Sequence, residues 1–180
     1  MQQAFSIFIA VISFFGTVTA CDAFGGAEVG QVAPALVVQE LNGPTFDLAA
    51  ERGKVVIVNF WATWCPPCQA EMPTLDAFYR RYHAQGLEMI GLAANRRHER
   101  SDVAKAMSSF SYPAAMLSDC KSDGFSDPTE LPVTYIVDEQ GIVRAKLTPD
   151  EYLLTEQSLS KAVLPLLSER TAPHDAGQVH

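Results

Sequence analysis

Residues 54–83 read KVVIVNFWATWCPPCQAEMPTLDAFYRRYH, and this stretch decides the fold. Its opening, 54–60, is the apolar run expected of a central strand covered on both faces. From Pro66 onward Met72, Leu75, Phe78, Tyr79 and Tyr82 recur at helical spacing, which predicts a helix over 66–83 with no long loop before it. Pro73 lies inside that helix and should kink it, because its ring nitrogen cannot donate to the carbonyl of Gln69. Cys65 and Cys68 stand where the strand runs into the helix.

Outward from this core, 35–41 and 45–48 read as short strands punctuated by Asn42-Gly43-Pro44. Downstream, 87–93 is a second buried strand. A helix over 102–110 is expected, capped by Ser101. A short strand at 112–117 and a polar connection at 118–130 holding a helical turn come next. Strands at 133–138 and 142–147 are joined through Glu139-Gln140-Gly141, a hairpin signal. The last helix spans 152–167, with Pro165 expected to shorten it. The order ββ, βαβα, ββα implies parallel strands around a crossover helix plus an antiparallel hairpin. That is an α/β architecture with a mixed central sheet flanked by helices. At 180 residues and 48% hydrophobic content the chain has material for one good core. The domain is expected over 34–168, followed by a flexible polar tail at 169–180.

A disulfide between Cys65 and Cys68 closes a small ring, a poor staple but a good reversible switch. At a helix N-terminus the first cysteine meets unpaired N–H groups and the positive end of the helix dipole, which favour its thiolate, the attacking species. Cys65 is therefore the expected nucleophile and Cys68 the resolving thiol. The same spacing also serves as half of a zinc site, but no second Cys or His pair stands at ligand spacing. No metal and no cofactor are expected. Trp64 is read either as core packing or as an apolar shield and docking surface beside the cysteines. Pro66 and Pro67 each remove an N–H that could point at the sulfur of Cys65, which implies a less stabilised thiolate and a reducing couple. A peroxidatic site would need Thr or Ser three residues before the cysteine and Pro seven before; Ala62 and Val58 stand there.

The net charge is -8, and the one basic cluster, Arg96, Arg97 and Arg100, is diluted by acidic neighbours, so no nucleic-acid partner is expected. Residues 1–20 carry no charged side chain, and 4–15 (AFSIFIAVISFF) has the length of a signal-peptide core. Val18-Thr19-Ala20-Cys21 resembles the lipobox of bacterial lipoproteins, which implies a lipidated Cys21. Ordinary cleavage nearby and an uncleaved anchor are the competing readings. Asp22 resembles an inner-membrane retention signal. Residues 21–33 then form a small-residue tether. Of the four cysteines, Cys120 is left over and reads as a lone buried thiol.

Residues 58–73, VNFWATWCPPCQAEMP, resemble the active-site stretch of the TlpA/ResA-like branch of the thioredoxin superfamily. The likeness in element order covers about 30–167. It implies a thioredoxin fold with an added N-terminal β-hairpin (35–48) and a central helix-containing insertion (roughly 101–130). It also implies an extracytoplasmic thiol:disulfide oxidoreductase, in the first place a dithiol reductase of client protein disulfides, with a membrane electron donor of the DsbD/CcdA kind. The expected location is the periplasm, at the inner membrane through lipidated Cys21. Leu131-Pro132-Val133-Thr134 resembles the family's cis-proline loop, where Leu131 and Pro132 would meet substrate; the bland reading of Pro132 is a turn marker. Asn59 occupies the position of a buried Asp in ordinary thioredoxins. Glu71 matches an acidic residue kept near the dithiol and would exchange protons with Cys68; it also reads as an ordinary first-turn Glu. A net oxidase or isomerase of the same fold is the nearest alternative. A Sco-type copper-binding factor is more distant, because it uses a wider Cys-x-x-x-Cys spacing.

Overall fold

The computed structural model describes residues 27–125, 130–149 and 154–171. Seven strands form one mixed sheet in the order β2-β1-β5-β4-β3-β6-β7. They are β1 (Leu36–Glu40), β2 (Thr45–Asp47), β3 (Val55–Trp61), β4 (Leu87–Ala93), β5 (Ala114–Asp123), β6 (Val133–Val137) and β7 (Val143–Leu147). The helices are α1 (Pro66–Tyr82), α2 (Arg100–Met107) and α3 (Glu156–Thr171). Among the described residues no helix is long and apolar enough to cross a membrane.

Every residue of β3 is buried, as its apolar run requires. It pairs parallel with β4 from Val55↔Leu87 to Trp61↔Ala93, and antiparallel with β6 from Val56↔Val137 to Phe60↔Val133. Alternation along β3 divides the core in two. Val55, Ile57 and Trp61 join the buried side chains of all three helices, among them Met72, Leu75, Val103, Leu159 and Val163. Val56, Val58 and Phe60 join Leu36, Phe46, Ile90, Phe125 and Tyr135 on the opposite face.

The expected hairpin at 35–48 forms, with Val38 opposite Phe46. Three expectations need correction. Pro165 does not shorten α3, which continues to Thr171; Pro73 lies inside α1, which runs on to Tyr82. Ser101 is not a cap: the chain enters α2 through a 3-10 turn at Arg97–Glu99, so Ser101 is already helical. The Glu99 carboxylate caps that turn by accepting the Arg96 N–H at 2.8 Å. Residues 118–123, expected as connection, extend β5, whose far half pairs antiparallel with β1 (Cys120↔Val38, Asp123↔Leu36). Asp119 on that extension carries ion pairs to Arg97 and Arg100, so the basic cluster is tied to the sheet.

Residues 27–33 are part of the folded body. Ala27 is buried, Gly30 N–H donates to Val143 O and Ala33 N–H to Gly141 O, both at 2.8 Å. Gly30 and Gly141 take positive φ values of 86° and 78°, which glycine tolerates without a Cβ penalty. Residues 1–20, Cys21 and Asp22 lie outside the described residues, as do 126–129, Tyr152 where the last helix was expected to begin, and 172–180 of the tail.

Asp76 ties α1 to the loop before β5. It is 3% exposed, accepts from Ser111 N and Oγ at 2.6 and 2.7 Å, and pairs with Arg80 at 2.7 Å. Burial works against its charge, but the Ser111 hydrogen bonds and Arg80 outweigh burial and hold its carboxyl below the usual range. Asp76→Ala removes the buried carboxylate that accepts from both the N–H and the hydroxyl of Ser111 and pairs with Arg80. Denaturant melts should show a loss of about 2 kcal/mol; an unchanged midpoint would contradict this account.

Candidate active site

After β3 ends at Trp61 the chain turns once before α1, with Cys65 N–H donating to Ala62 O at 3.1 Å. Cys65 is the N-cap of α1 in an extended conformation (φ -104°, ψ 98°). Its Sγ accepts the N–H of Cys68 at 3.3 Å. Pro66 and Pro67 fill the first helical positions, where a missing N–H is tolerated. The N–H of Gln69 goes to the Cys65 carbonyl at 3.2 Å rather than to the sulfur. One backbone donor therefore serves the Cys65 sulfur. The helix dipole adds about 0.3–1 kcal/mol in favour of negative charge at such a site.

Cys65 and Cys68 are joined as a disulfide with Cα atoms 5.3 Å apart. They are 5% and 2% exposed, whereas Trp64 beside them is 60% exposed. The indole is therefore not core packing; it is exposed at the residue next to a buried disulfide. Trp61, by contrast, is fully buried in the helix-side core. The Leu131-Pro132 peptide bond is cis. Because Phe60 pairs with Val133, Pro132 lies level with the end of β3, at the edge from which the motif departs. Pro132 is buried, and half-buried Leu131 touches both core clusters. Asn59 is 1% exposed and donates through Nδ2 to Thr134 Oγ1 across the β3–β6 pair at 2.9 Å, while its Oδ1 has no partner. Cys120 sits half-buried on β5 against the opposite core, away from this constellation.

Glu71 lies one turn beyond Cys68 on α1. Burial pushes its carboxyl from an ordinary 4.5 up to about 7, against the opposing pull of a hydrogen bond from the backbone of Leu154. It is thus poised to take and give protons near neutrality. Sequence reasoning missed Asn95 and Thr63. Asn95, 4% exposed, holds Thr63 N–H and Oγ1 from the loop after β4. An Asn just past an apolar run reads as a turn residue, and nothing in its spacing points back to Thr63.

A cysteine pair capping the helix that follows the central strand of such a sheet defines a thiol-disulfide oxidoreductase of the thioredoxin fold. Residues 29–146 match the model of the AhpC/TSA family, and the chain belongs to that family, among its ResA-like thiol-disulfide oxidoreductases. It is 32% identical over 124 residues to "Thiol-disulfide oxidoreductase ResA" of Bacillus cereus, covering 69% of this chain and 72% of that one. Identity to the ResA of Geobacillus thermodenitrificans is 34% over 122 residues, 67% of this chain and 69% of the relative. In fold it is similar to the crystal structure of a thiol:disulfide interchange protein of the thioredoxin family from Chlorobium tepidum. That match has a TM-score of 0.63 at 25% identity and covers 79% of this chain and 99% of that one.

Glu71 gives a pH signature. Between its unfolded and folded values, 4.5 and about 7, the native carboxyl keeps a proton that the unfolded chain releases. Its contribution is therefore fully present below the lower value and lost as pH rises through the upper one. Glu71→Gln removes that loss, so the melting-temperature difference between about pH 5 and about pH 8 should shrink in the variant. Equal differences in the two proteins would show that Glu71 titrates normally.

Proposed function

We propose that this oxidoreductase works as an extracytoplasmic dithiol reductase of client protein disulfides. The observation that carries the reading is the sulfur of Cys65 at the N-cap of α1 with one backbone donor, followed by two prolines and preceded by exposed Trp64. In the reduced protein the Cys65 thiolate attacks one sulfur of a client disulfide, forming a mixed disulfide and releasing the other client sulfur as a thiolate. Cys68 loses its proton to Glu71 and attacks the Cys65 sulfur. That step expels the second client thiolate and leaves the Cys65–Cys68 disulfide. Two electrons have then passed to the client, and an electron donor of the DsbD/CcdA kind returns the pair to the dithiol. Trp64, Leu131 and cis Pro132 offer the surface on which an extended client segment lies. The apolar segment in 1–20 supports export, and the lipobox-like Cys21 supports an anchor at the periplasmic face of the inner membrane.

Trapping tests the roles of the two cysteines. Cys68→Ala should leave Cys65 in stable mixed disulfides whose partners mass spectrometry identifies. Accumulation with Cys65→Ala instead would reverse nucleophile and resolver.

The direction of electron flow has its own test. Pro66→His restores an N–H near the sulfur and adds an imidazole, both favouring the thiolate. Equilibration with glutathione should show the reduction potential rising by on the order of 30 mV, a tenfold change in the exchange constant. A potential equal to or below that of the parent would remove the argument for a proline-poised reducing couple.

A further inference from the structure

The four residues Ala62 to Cys65 belong to neither β3 nor α1, yet the reacting sulfur hangs from their end. A free turn of this kind has many conformations, and each ordered residue costs about 1–2 kcal/mol of backbone entropy. Thr63 is where the turn is held. Asn95 Oδ1 accepts the Thr63 N–H at 3.0 Å, and Asn95 Nδ2 donates to Thr63 Oγ1 at 2.6 Å. Gln69 Nε2, from the first turns of α1, donates to the Thr63 carbonyl. Every polar group of Thr63 therefore has a partner outside the turn.

Asn95 is itself fixed. It is 4% exposed, and its Nδ2 also approaches Glu99 Oε2 at 3.4 Å, the oxygen that accepts the Arg96 N–H. The Ala94 N–H, one residue earlier, donates to Trp61 O at 2.8 Å, so the loop after β4 continues the β3–β4 ladder past the strand ends. A two-point amide grip fixes orientation as well as distance, which a single hydrogen bond does not.

We infer that Asn95 is a positioning residue for the dithiol, acting through Thr63 to hold Cys65 at the helix cap in the reduced as well as the oxidised protein. It touches no reacting atom. By keeping the turn ordered after the disulfide opens, it keeps the Cys65 sulfur within reach of the Cys68 sulfur and N–H; the proximity favours closure of the pair and outweighs the opposing stabilisation of the reduced thiolate by a single N–H. The inference rests on Cys65 being the attacking thiol.

The test uses the full chain. Exchange with glutathione disulfide converts the dithiol to the Cys65–Cys68 disulfide and yields two glutathione molecules; its equilibrium constant reads how closely the sulfurs are held. Asn95→Ala should lower that constant by at least about threefold, the low end of what coupled contacts produce. The pH profile of Cys65 alkylation by iodoacetamide should also move upward. Asn95→Asp, which keeps an acceptor for the Thr63 N–H, should restore part of both effects. Should Asn95→Ala fail to fold, Thr63→Val deletes only the hydroxyl partner and should move the constant in the same direction. Constants and alkylation profiles that coincide with the parent in the folded variants, even with a lowered melting temperature, would overturn the inference. Peptide mapping of the alkylated parent separately reports which thiol reacts. If that thiol is Cys68, the assignment of the nucleophile falls, while the exchange constant still judges Asn95.

Discussion

The structure depends on one constraint: a strand buried along its whole length must deliver its chain, within a single turn, to the N-terminus of a helix. A backbone with neighbours on both sides has no freedom to drift, so the position of Cys65 is inherited from the β3–β4 and β3–β6 ladders. The helix then supplies what the sheet cannot, an end with unsatisfied N–H groups. A strand alone would fix the sulfur without tuning it, and a helix alone would tune it without fixing it. Reversible disulfide chemistry needs both.

Polar groups around this junction divide the work between holding and titrating. Asn59 and Thr134 pair across the buried ladder with no ionisable group, so the core behind the motif stays uncharged. Near the motif, burial raises the carboxyl of Glu71 into the neutral range. The acidic function sits on the helix rather than beneath the dithiol in the sheet. The carboxyl there is tied to Leu154, and so to the approach of α3, instead of to the strands.

Elements governed by burial were legible from the chain alone. The span of β4 coincides with its apolar run at 87–93, and β3 and α1 agree with expectation to within a residue at each end. What the sequence hides depends on partners. The far half of β5 carries Ser118, Asp119 and Lys121, a composition that reads as loop, and becomes a strand because β1 offers it an edge. Ser101 has the chemistry of a cap, but Glu99 takes the turn first. In the site, Cys65 and Cys68 follow from local spacing, and Glu71 from the resemblance to the family. Asn95 does not, since its partner Thr63 lies across a helix and a strand in sequence and is adjacent only after β3 and β4 pair.

The seam between residues 30–33 and the β6–β7 corner bears on how the margins of the sheet are covered. Sheets invite self-association at their outermost strands, where unpaired N–H and C=O groups template a further strand. Here β2, at one margin, has only three residues. At the other margin, the hydrogen bonds of Gly30 and Ala33 and the Val32↔Ile142 bridge lay the N-terminal segment along the start of β7. The segment that leads back towards the N-terminus thus also acts as a guard rail, occupying backbone groups that a second copy would otherwise use. Trimming the chain to Pro34 would shorten a linker on paper and open a sticky margin in fact.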